Sequence, residues 1–225
     1  MSSVVKKIRT VSPPHLEVMG GSPLSGCLKV SGAKNSVLIL MAAALLSKET
    51  VQIKNVPDLT DIDVMAEIIK NLGVGINRSS NKIEINSLNL TNVELRQELV
   101  HSLRASFFCI APLLARLGKV SIPLPGGCKI GARPLDEHIN GLKALGANVE
   151  VNKNVVTASI PIDQARLKGA RIFLSFPSVG ATETILMAAS LAEGKTIIEN
   201  AAREPEIQDL SKMLNCMGAR ISGAG

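Results

Sequence analysis

DVMAEIIKNLG, residues Asp63–Gly73, is the stretch that decides the fold, because its pattern returns twice further along the chain. Its apolar residues recur at the i, i+3, i+4, i+7 spacing of an amphipathic helix that ends before a glycine. A similar stripe precedes Gly146, which lies 73 residues after Gly73, and Gly218, which lies 145 residues after it. The stripes are Met65, Ile68, Ile69 and Leu72; Leu135, Ile139, Leu142 and Leu145; and Leu210, Met213, Leu214 and Met217. This spacing predicts a structural unit of about 72 residues in three copies.

The elements around these helices repeat as well. The strand-like run KETVQIKNV (48–56) matches EGKTIIENA (193–201), with Asn55 at the position of Asn200. GKVSIPLPGG (118–127) takes the same place in the middle copy. Each run follows an apolar, Ala-rich stretch that predicts a helix: SVLILMAAALLS, FFCIAPLLARL and TILMAASLAE. The first two copies continue into predicted hairpins, VGINRSSNKIEI and NVEVNKNVVTASI.

This order of elements predicts one α/β domain over residues 32–225, built from three βαβαββ-like repeats with pseudo-threefold symmetry. The third copy stops at RISGAG (220–225) without the returning strands of the first two. Such an end leaves a strand edge without a partner. The pattern therefore favours a chain cut before its last strand over a naturally shortened copy.

Composition narrows the class of protein. The chain has 225 residues, of which 46% are hydrophobic and 20% charged, as in ordinary globular domains. Its longest apolar run, Val37–Leu46, is about half the length of a membrane span, and no secretory leader opens the chain. The four cysteines form no C-x-x-C pair. These features predict a soluble, cytoplasmic protein with reduced thiols.

The formal charge of +6 favours an anionic partner. With no Trp or Tyr and four Phe, the chain is poorly suited to single-strand nucleic-acid binding by base stacking. Duplex binding through phosphates alone stays open at this point, as do a membrane surface and a phosphorylated metabolite. The three histidines have no zinc-site spacing, so no metal or cofactor is expected, and they are assigned to surface or capping positions.

Cys128 is the residue most suited to covalent chemistry. Its loop is the extra piece of the middle copy: Val120 lies 26 residues before Gly146, whereas Val51 lies 22 before Gly73. Lys129, Arg133 and a predicted helix start all favour the reactive thiolate. The alternative is a half-buried spectator thiol. The other cysteines, Cys27, Cys109 and Cys216, lie in apolar surroundings and are predicted to pack.

Three further segments suit an anion. SGAKNS (31–36) and SVGATET (178–184) each open a predicted helix with small residues, whose free N–H groups can bind an anion, and Lys34 adds a charge. Arg104, in HSLRASFF, places a cation at a helix start. A tight packing turn and a solvated arginine are the alternatives, since neither the P-loop nor the dinucleotide spacing is present.

Taken together, SGAKNS, LRAS, PGGCKIGARPLD, SVGAT and AAREPEI occur in an order that resembles the enolpyruvyl transferases, from about His15 to the end of the chain. The Lys34-Asn35 and cysteine-loop strings are more similar to the family branch that acts on a UDP-sugar than to the branch that acts on shikimate 3-phosphate. The resemblance implies transfer of the enolpyruvyl group of phosphoenolpyruvate to the 3′-hydroxyl of UDP-N-acetylglucosamine, with release of phosphate, at the start of peptidoglycan synthesis.

The resemblance also implies roles for single residues. Cys128 is the loop cysteine that donates a proton, can form a phosphoenolpyruvate adduct and is alkylated by fosfomycin. Lys34, Asn35, Arg104 and Arg133 would hold phosphoenolpyruvate. The expected UDP-sugar contacts are Arg104, Arg133, Pro134, Leu135, Asp136, Glu137, Phe176, Pro177, Ser178 and Val179. Some family members have a lysine before the SVG string, whereas this chain has Phe176 and Pro177, which removes the basis for a charged contact there.

Finally, the resemblance implies two domains, each an inside-out α/β barrel of three repeats, with the active site between them. This chain corresponds to one of them, and residues 1–31 are expected to pack with the second. Without that second domain, which would carry an aspartate base and a further arginine, the chain is expected to be inactive alone. A nonenzymatic anion-binding module and a shikimate-pathway enzyme are the alternatives. The expected partners are the small-molecule substrates phosphoenolpyruvate and UDP-N-acetylglucosamine, with no nucleic acid and no membrane, and the oligomeric state is left open.

Overall fold

Helices and short strands alternate along the chain. The computed structural model describes residues 15–21, 23, 25–124 and 135–225. The helices are α1 Lys34–Ala43, α2 Thr60–Lys70, α3 Gln97–Ser102, α4 Ile110–Leu117, α5 Asp136–Ala144, α6 Val179–Ala189 and α7 Pro205–Cys216. The strands are β1 Thr50–Lys54, β2 Gly75–Ser79, β3 Lys82–Asn86, β4 Lys119–Pro123, β5 Asn148–Asn152, β6 Val155–Ser159, β7 Arg171–Phe173 and β8 Ile197–Glu199. This order confirms the predicted α/β class.

The three predicted apolar helices form much of the core. In α1, residues 36–39 and 41–43 are buried, and α6 is buried over most of its length. A helix that is apolar on all sides has to lie inside the fold, because no face of it suits water. α1 packs against α2 and α7, and α6 packs against α4, α5 and α7. The core is therefore continuous through the helices.

Amphipathic helices cover this core. The predicted stripe of α2 is fully buried at Met65, Ile68 and Ile69, and so is Leu72 just after its end. Leu210 and Leu214 of α7 are buried in the same way. The glycines that follow α2, α5 and α7 have φ values of 87°, 89° and 104°, a left-handed conformation that glycine adopts without steric cost. The predicted helix ends are confirmed.

Two three-stranded antiparallel sheets have the same order and register. β1 and β2 flank β3, with Thr50 and Gly75 both opposite Asn86. β4 and β5 flank β6, with Lys119 and Asn148 both opposite Ser159. Alternate residues of β3 and β6 face the helices, as the sequence alternation predicts.

The third sheet differs from these two. β8 pairs in parallel with β7, a short strand, and residues 217–225 add no strand. The Lys168–Glu193 bridge extends this contact. β1 and β4 each pair with an antiparallel strand. Among residues 135–225, β8 pairs with no antiparallel strand.

Residues Ser31–Gly225 form one compact unit, and residues Met1–Val30 form another. The described part of the shorter unit contains no helix or strand, and its residues are exposed.

Candidate anion-binding site

The first three residues of α1 each contact a carboxylate from another helix. They come from SGAKNS, the segment predicted to bind an anion. The contacts are Lys34 Nζ with Asp61 Oδ2 at 2.7 Å, Asn35 Nδ2 with Glu206 Oε1 at 3.3 Å, and Ser36 Oγ with Asp209 Oδ2 at 2.8 Å. Side chains of the predicted segment thus lie together at one helix start, and each of them contacts a carboxylate.

The backbone at this helix start is also suited to an anion. Ala33 occupies the N-cap without a side-chain hydrogen bond, and the first turn has no acidic residue. The first N–H groups of α1 therefore lack a capping side chain, and the helix dipole favours negative charge there. Gly32 packs directly on the backbone of Asn55, so a side chain at position 32 would displace the loop.

The start of α6 is the second predicted helix opening. Ser178 is its N-cap, and its Oγ accepts a hydrogen bond from Ala181 N at 3.3 Å. Because this cap satisfies Ala181, the N–H groups of Val179 and Gly180 are left without a capping side chain in the first turn. Phe176, just before the cap, is 45% exposed and offers a ring to a ligand.

The start of α5 is tied to the segment before α6. Glu137 is buried, and its carboxylate accepts hydrogen bonds from the N–H of Ser175, at 3.3 Å, and from the Ser175 hydroxyl. Leu135 is half-buried and Asp136 is exposed. The structure therefore brings two of the predicted UDP-sugar segments together. Glu137 does so with its side chain, which is then turned away from solvent.

Arg104 begins the 3₁₀ segment Arg104–Cys109, which leads directly into α4. The sequence predicted a helix start here, and the structure places a 3₁₀ turn before the α-helix. The segment packs against α1 and α6. The charge of Arg104 also acts on His138 of α5. Arg104 thus lies between the helices that carry the other candidates.

His138 corrects the sequence interpretation. It was assigned to the surface or to capping, but it is only 6% exposed. Its Nδ1 lies 2.9 Å from Thr184 Oγ1, and its ring meets that of Phe107 edge-on, with centroids 5.3 Å apart. Burial, and then the charge of Arg104, lower the pKa of His138 to about 4, so the ring is neutral near pH 7. A histidine inside an apolar stripe has the same sequence pattern whether its ring is buried or exposed.

Glu183 is a second residue that sequence reasoning missed. This α6 carboxylate is 2% exposed. Burial raises its pKa to about 8, with the charges of Glu206 and Glu204 adding to the effect. An acidic residue in the middle of the SVGATET string was the available signal. A pKa of about 8 favours the protonated form of Glu183 at neutral pH, and Glu206, which contributes to this shift, is also the residue that contacts Asn35.

The cysteine predictions have mixed outcomes. Cys128, Arg133 and Pro134 lie outside the described residues. Cys109 is fully buried, as predicted, and burial raises its pKa to about 12. The packing assignment of Cys27 and Cys216 is wrong, because both are exposed. Cys216 ends α7 on the side that faces solvent.

Within residues 15–21, 23, 25–124 and 135–225, no group of three or more His, Cys, Asp or Glu side chains is placed to hold a metal ion. In the same part of the chain, no helix has the length and apolar character that crossing a bilayer requires.

Solved structures share this fold. The enolpyruvyl transferase NikO from Streptomyces tendae matches 92% of this chain and 48% of its own, with a TM-score of 0.76 at 24% identity. An EPSP synthase from Acinetobacter baumannii matches 89% of this chain and 45% of its own, with a TM-score of 0.68 at 19% identity. At these identities the likeness shows the fold alone, which is that of the enolpyruvyl transferases.

Sequence comparison gives the family. The model of the family described as EPSP synthase (3-phosphoshikimate 1-carboxyvinyltransferase) matches residues 18–225, and the chain belongs to that family.

Curated relatives are more similar. A Prochlorococcus marinus (strain NATL1A) protein named UDP-N-acetylglucosamine 1-carboxyvinyltransferase is 68% identical over the whole chain, which covers 49% of that protein. A Synechococcus sp. (strain CC9605) protein of the same name is 56% identical over the whole chain, which covers 52% of it. The chain thus spans about half the length of the curated relatives it matches.

Proposed function

We propose that this chain supplies one half of an enzyme that moves the enolpyruvyl group of phosphoenolpyruvate to the 3′-hydroxyl of UDP-N-acetylglucosamine and releases phosphate. The observation that carries this proposal is the 68% identity, over all 225 residues, to a relative that bears the corresponding name. The reaction would take place in the cytoplasm as the first committed step of peptidoglycan synthesis, and so would serve cell shape and division.

The phosphoenolpyruvate site is proposed at the start of α1. Lys34, Asn35, Arg104 and Arg133 would bind its phosphate and carboxylate groups. The contacts of Lys34 and Asn35 with Asp61 and Glu206 support this role, because both side chains already bind carboxylates in the structure. A bound substrate would have to compete with those two acceptors.

The UDP-sugar site is proposed between the starts of α5 and α6. The Glu137–Ser175 hydrogen bonds hold these two segments together. The first N–H groups of α6 suit the diphosphate, and the Phe176 ring offers an apolar surface. The proposed contacts are Arg104, Arg133, Pro134, Leu135, Asp136, Glu137, Phe176, Pro177, Ser178 and Val179. Since the Glu137 carboxylate is hydrogen-bonded to Ser175, Glu137 would contact the ligand through its backbone.

Cys128 is the proposed acid and the proposed target of fosfomycin. Protonation of the enol carbon develops positive charge on phosphoenolpyruvate, which the site has to stabilise while it excludes water. Lys129 and Arg133 follow Cys128 in sequence. Nearby cations lower the pKa of a thiol, so its proton leaves more readily, and they also suit bound anions. No metal or cofactor takes part in this scheme.

We also propose that the chain folds as three repeats of an inside-out α/β barrel and that a second domain completes the site. The matched register of the sheets β1-β3-β2 and β4-β6-β5 supports the repeat. A groove of about 930 Å³ beside β8 is lined in part by Leu186, Ile198 and Ile207 and by residues 218–225. Residues 1–31 would pack with the second domain.

The test joins this chain to the second half of the Prochlorococcus marinus (strain NATL1A) relative and measures phosphate release. The joined protein should turn over both substrates, and the 225-residue chain alone should not. Lys34→Ala and Asn35→Ala should each lower kcat/KM by roughly tenfold or more, since each removes a charged or polar contact with a reacting anion. Phosphate release by the isolated chain, or none by the joined protein, would contradict the proposal.

A shikimate-pathway enzyme is the second candidate, because the matching family model is described as EPSP synthase. Replacing UDP-N-acetylglucosamine by shikimate 3-phosphate in the same assay decides between them. Turnover with shikimate 3-phosphate, and none with UDP-N-acetylglucosamine, would favour the shikimate-pathway enzyme.

A nonenzymatic anion-binding module is the third candidate, since helix starts that suit an anion would bind one whether or not chemistry follows. Intact-mass measurement after fosfomycin treatment separates it from an enzyme. One adduct at Cys128 supports the enzyme. No adduct on the joined protein, or equal labelling of the four cysteines, supports the module.

A further inference from the structure

The ring of His138 lies between the elements that carry the proposed substrate contacts. It belongs to the first turn of α5, and its Nδ1 is 2.9 Å from Thr184 Oγ1 on α6. Its plane stands at 86° to the ring of Phe107, which lies in the segment that begins with Arg104. One buried side chain thus contacts all three elements.

The Cε1–Nε2 edge of the ring packs on Gly180. A Cβ at Gly180 would lie 2.9 Å from His138 Cε1, 3.0 Å from His138 Nε2 and 3.4 Å from Phe108 Cε1. Carbon atoms in favourable contact are about 3.5–4.0 Å apart, so no side chain fits between the ring and the helix. Gly180 has ordinary helical geometry, and its backbone does not require glycine. The closeness of the imidazole ring is what requires glycine at this position.

We propose that His138 and Gly180 are a size-matched pair that sets the distance between the first turns of α5 and α6, and thereby positions the UDP-sugar site. The inference rests on the proposed function, because the positioned groups are the α6 N–H donors and the segment Leu135–Glu137. His138 acts here as a positioning residue. It needs no contact with substrate.

The neutrality of the ring supports a spacing role. With its pKa lowered to about 4, His138 carries no charge near pH 7 and adds nothing to the binding of an anion by charge. Its contribution at that pH is its shape and its hydrogen bond to Thr184.

The test uses this chain joined to the complementary half of the relative. Gly180→Ala should raise the KM for UDP-N-acetylglucosamine by roughly tenfold or more, because the displaced turn misplaces the α6 donors. The KM for phosphoenolpyruvate should rise by a smaller factor than the KM for UDP-N-acetylglucosamine, because Lys34 and Asn35 lie on α1, which the Gly180 contact does not involve.

His138→Asn in the Gly180→Ala background is the rescue. Asparagine can keep a hydrogen bond to Thr184 while it removes the two ring atoms that face Gly180. The KM should then return to within about threefold of the unsubstituted protein. A double variant with a KM as high as that of Gly180→Ala alone would overturn the proposal.

Thr184→Val is the matched control, since it removes the hydrogen bond to the ring but leaves the Gly180 contact in place. It should leave the KM within about threefold. If it raised the KM as much as Gly180→Ala, the hydrogen bond would be the determinant and the spacing proposal would be wrong.

Thermal unfolding of the same variants separates this inference from the proposed function. Gly180→Ala should lower the midpoint by about 3 °C or more, and His138→Asn should recover at least half of the loss. If the unsubstituted joined protein fails to use UDP-N-acetylglucosamine, the proposed function fails, and recovery in the thermal cycle still supports the pair. Additive thermal effects overturn the pair whatever the activity.

Discussion

Asn55 and Asn200 share a left-handed backbone conformation, with φ values of 58° and 55°. They follow β1 and β8, and the sequence pattern had placed them at equivalent positions. Asparagine is one of the few residues with a side chain that adopts this conformation readily. The two positions differ in a side-chain hydrogen bond, because Asn200 Nδ2 donates to Leu174 O at 2.9 Å.

This difference predicts unequal effects of substitution. Asn55→Ala should cost about 1 kcal/mol of unfolding free energy through backbone strain, and Asn55→Gly should be nearly neutral. Asn200→Ala should cost about 2 kcal/mol, because the hydrogen bond to Leu174 is lost as well. Urea denaturation measures all of these. Equal losses for the two alanine variants would show that the Leu174 bond contributes nothing.

Glu183 predicts a pH dependence of stability. Its pKa is 4.5 in ordinary surroundings and about 8 in the folded chain, so between these values the folded state keeps a proton that the unfolded state releases. The stabilising effect of that proton is fully present below pH 4.5 and is lost as pH rises through about 8. The free energy of unfolding attributable to Glu183 should therefore fall from pH 5 to pH 8.

The matched variant for this prediction is Glu183→Gln, which keeps the shape of the protonated acid but cannot ionise. Urea denaturation at several pH values gives the difference in stability between variant and unsubstituted chain. That difference should shift in favour of the variant as pH rises from 5 to 8. A difference that is constant with pH would mean that Glu183 titrates normally in the folded state.

Much of the fold followed from periodicity alone. The apolar spacing of Met65, Ile68 and Ile69 predicts the buried face of α2, and the alternation in residues 148–160 predicts the hairpin β5–β6. Both predictions depend on the spacing of residues that are close in sequence, which can be read directly from the chain. The strand β7 was missed, because three residues are too few for a period to show.

The site was less predictable than the fold. The motifs identified Lys34 and Asn35 as donors but could not show that Asp61 and Glu206 are their partners, since these lie on other helices. The same limit applies to His138. His138 is buried by tertiary contacts with Phe107 and Thr184, and no short-range pattern in the sequence indicates these contacts.

The half-buried guanidinium of Arg116 is predicted to have a structural role. Its Nη1 donates to Leu45 O and Ser87 Oγ, each at 2.7 Å, and also contacts Ser47 O and Ser87 O. Arg116→Leu should cost about 2–4 kcal/mol, because several part-buried acceptors lose their donor. Urea denaturation measures the loss.

The control for Arg116 is Arg171→Leu, which removes an exposed ion pair with Glu199. Pairs of this kind contribute at most about 1 kcal/mol. If the two variants lost the same stability, the hydrogen bonds of Arg116 would have no special weight in the fold.

Thiol labelling tests the corrected cysteine assignments. The pKa of Cys109 is raised to about 12 by burial, so at pH 8 this residue is both inaccessible and protonated. Cys216 is exposed at the end of α7 and should react with a disulfide reagent within seconds to minutes. Cys109 should react only when the domain opens, and its rate should rise with urea as unfolding becomes more frequent. Mass mapping of labelled peptides at several urea concentrations measures both rates. Rapid labelling of Cys109 without urea would mean that the packing around α4 opens far more often than its burial implies.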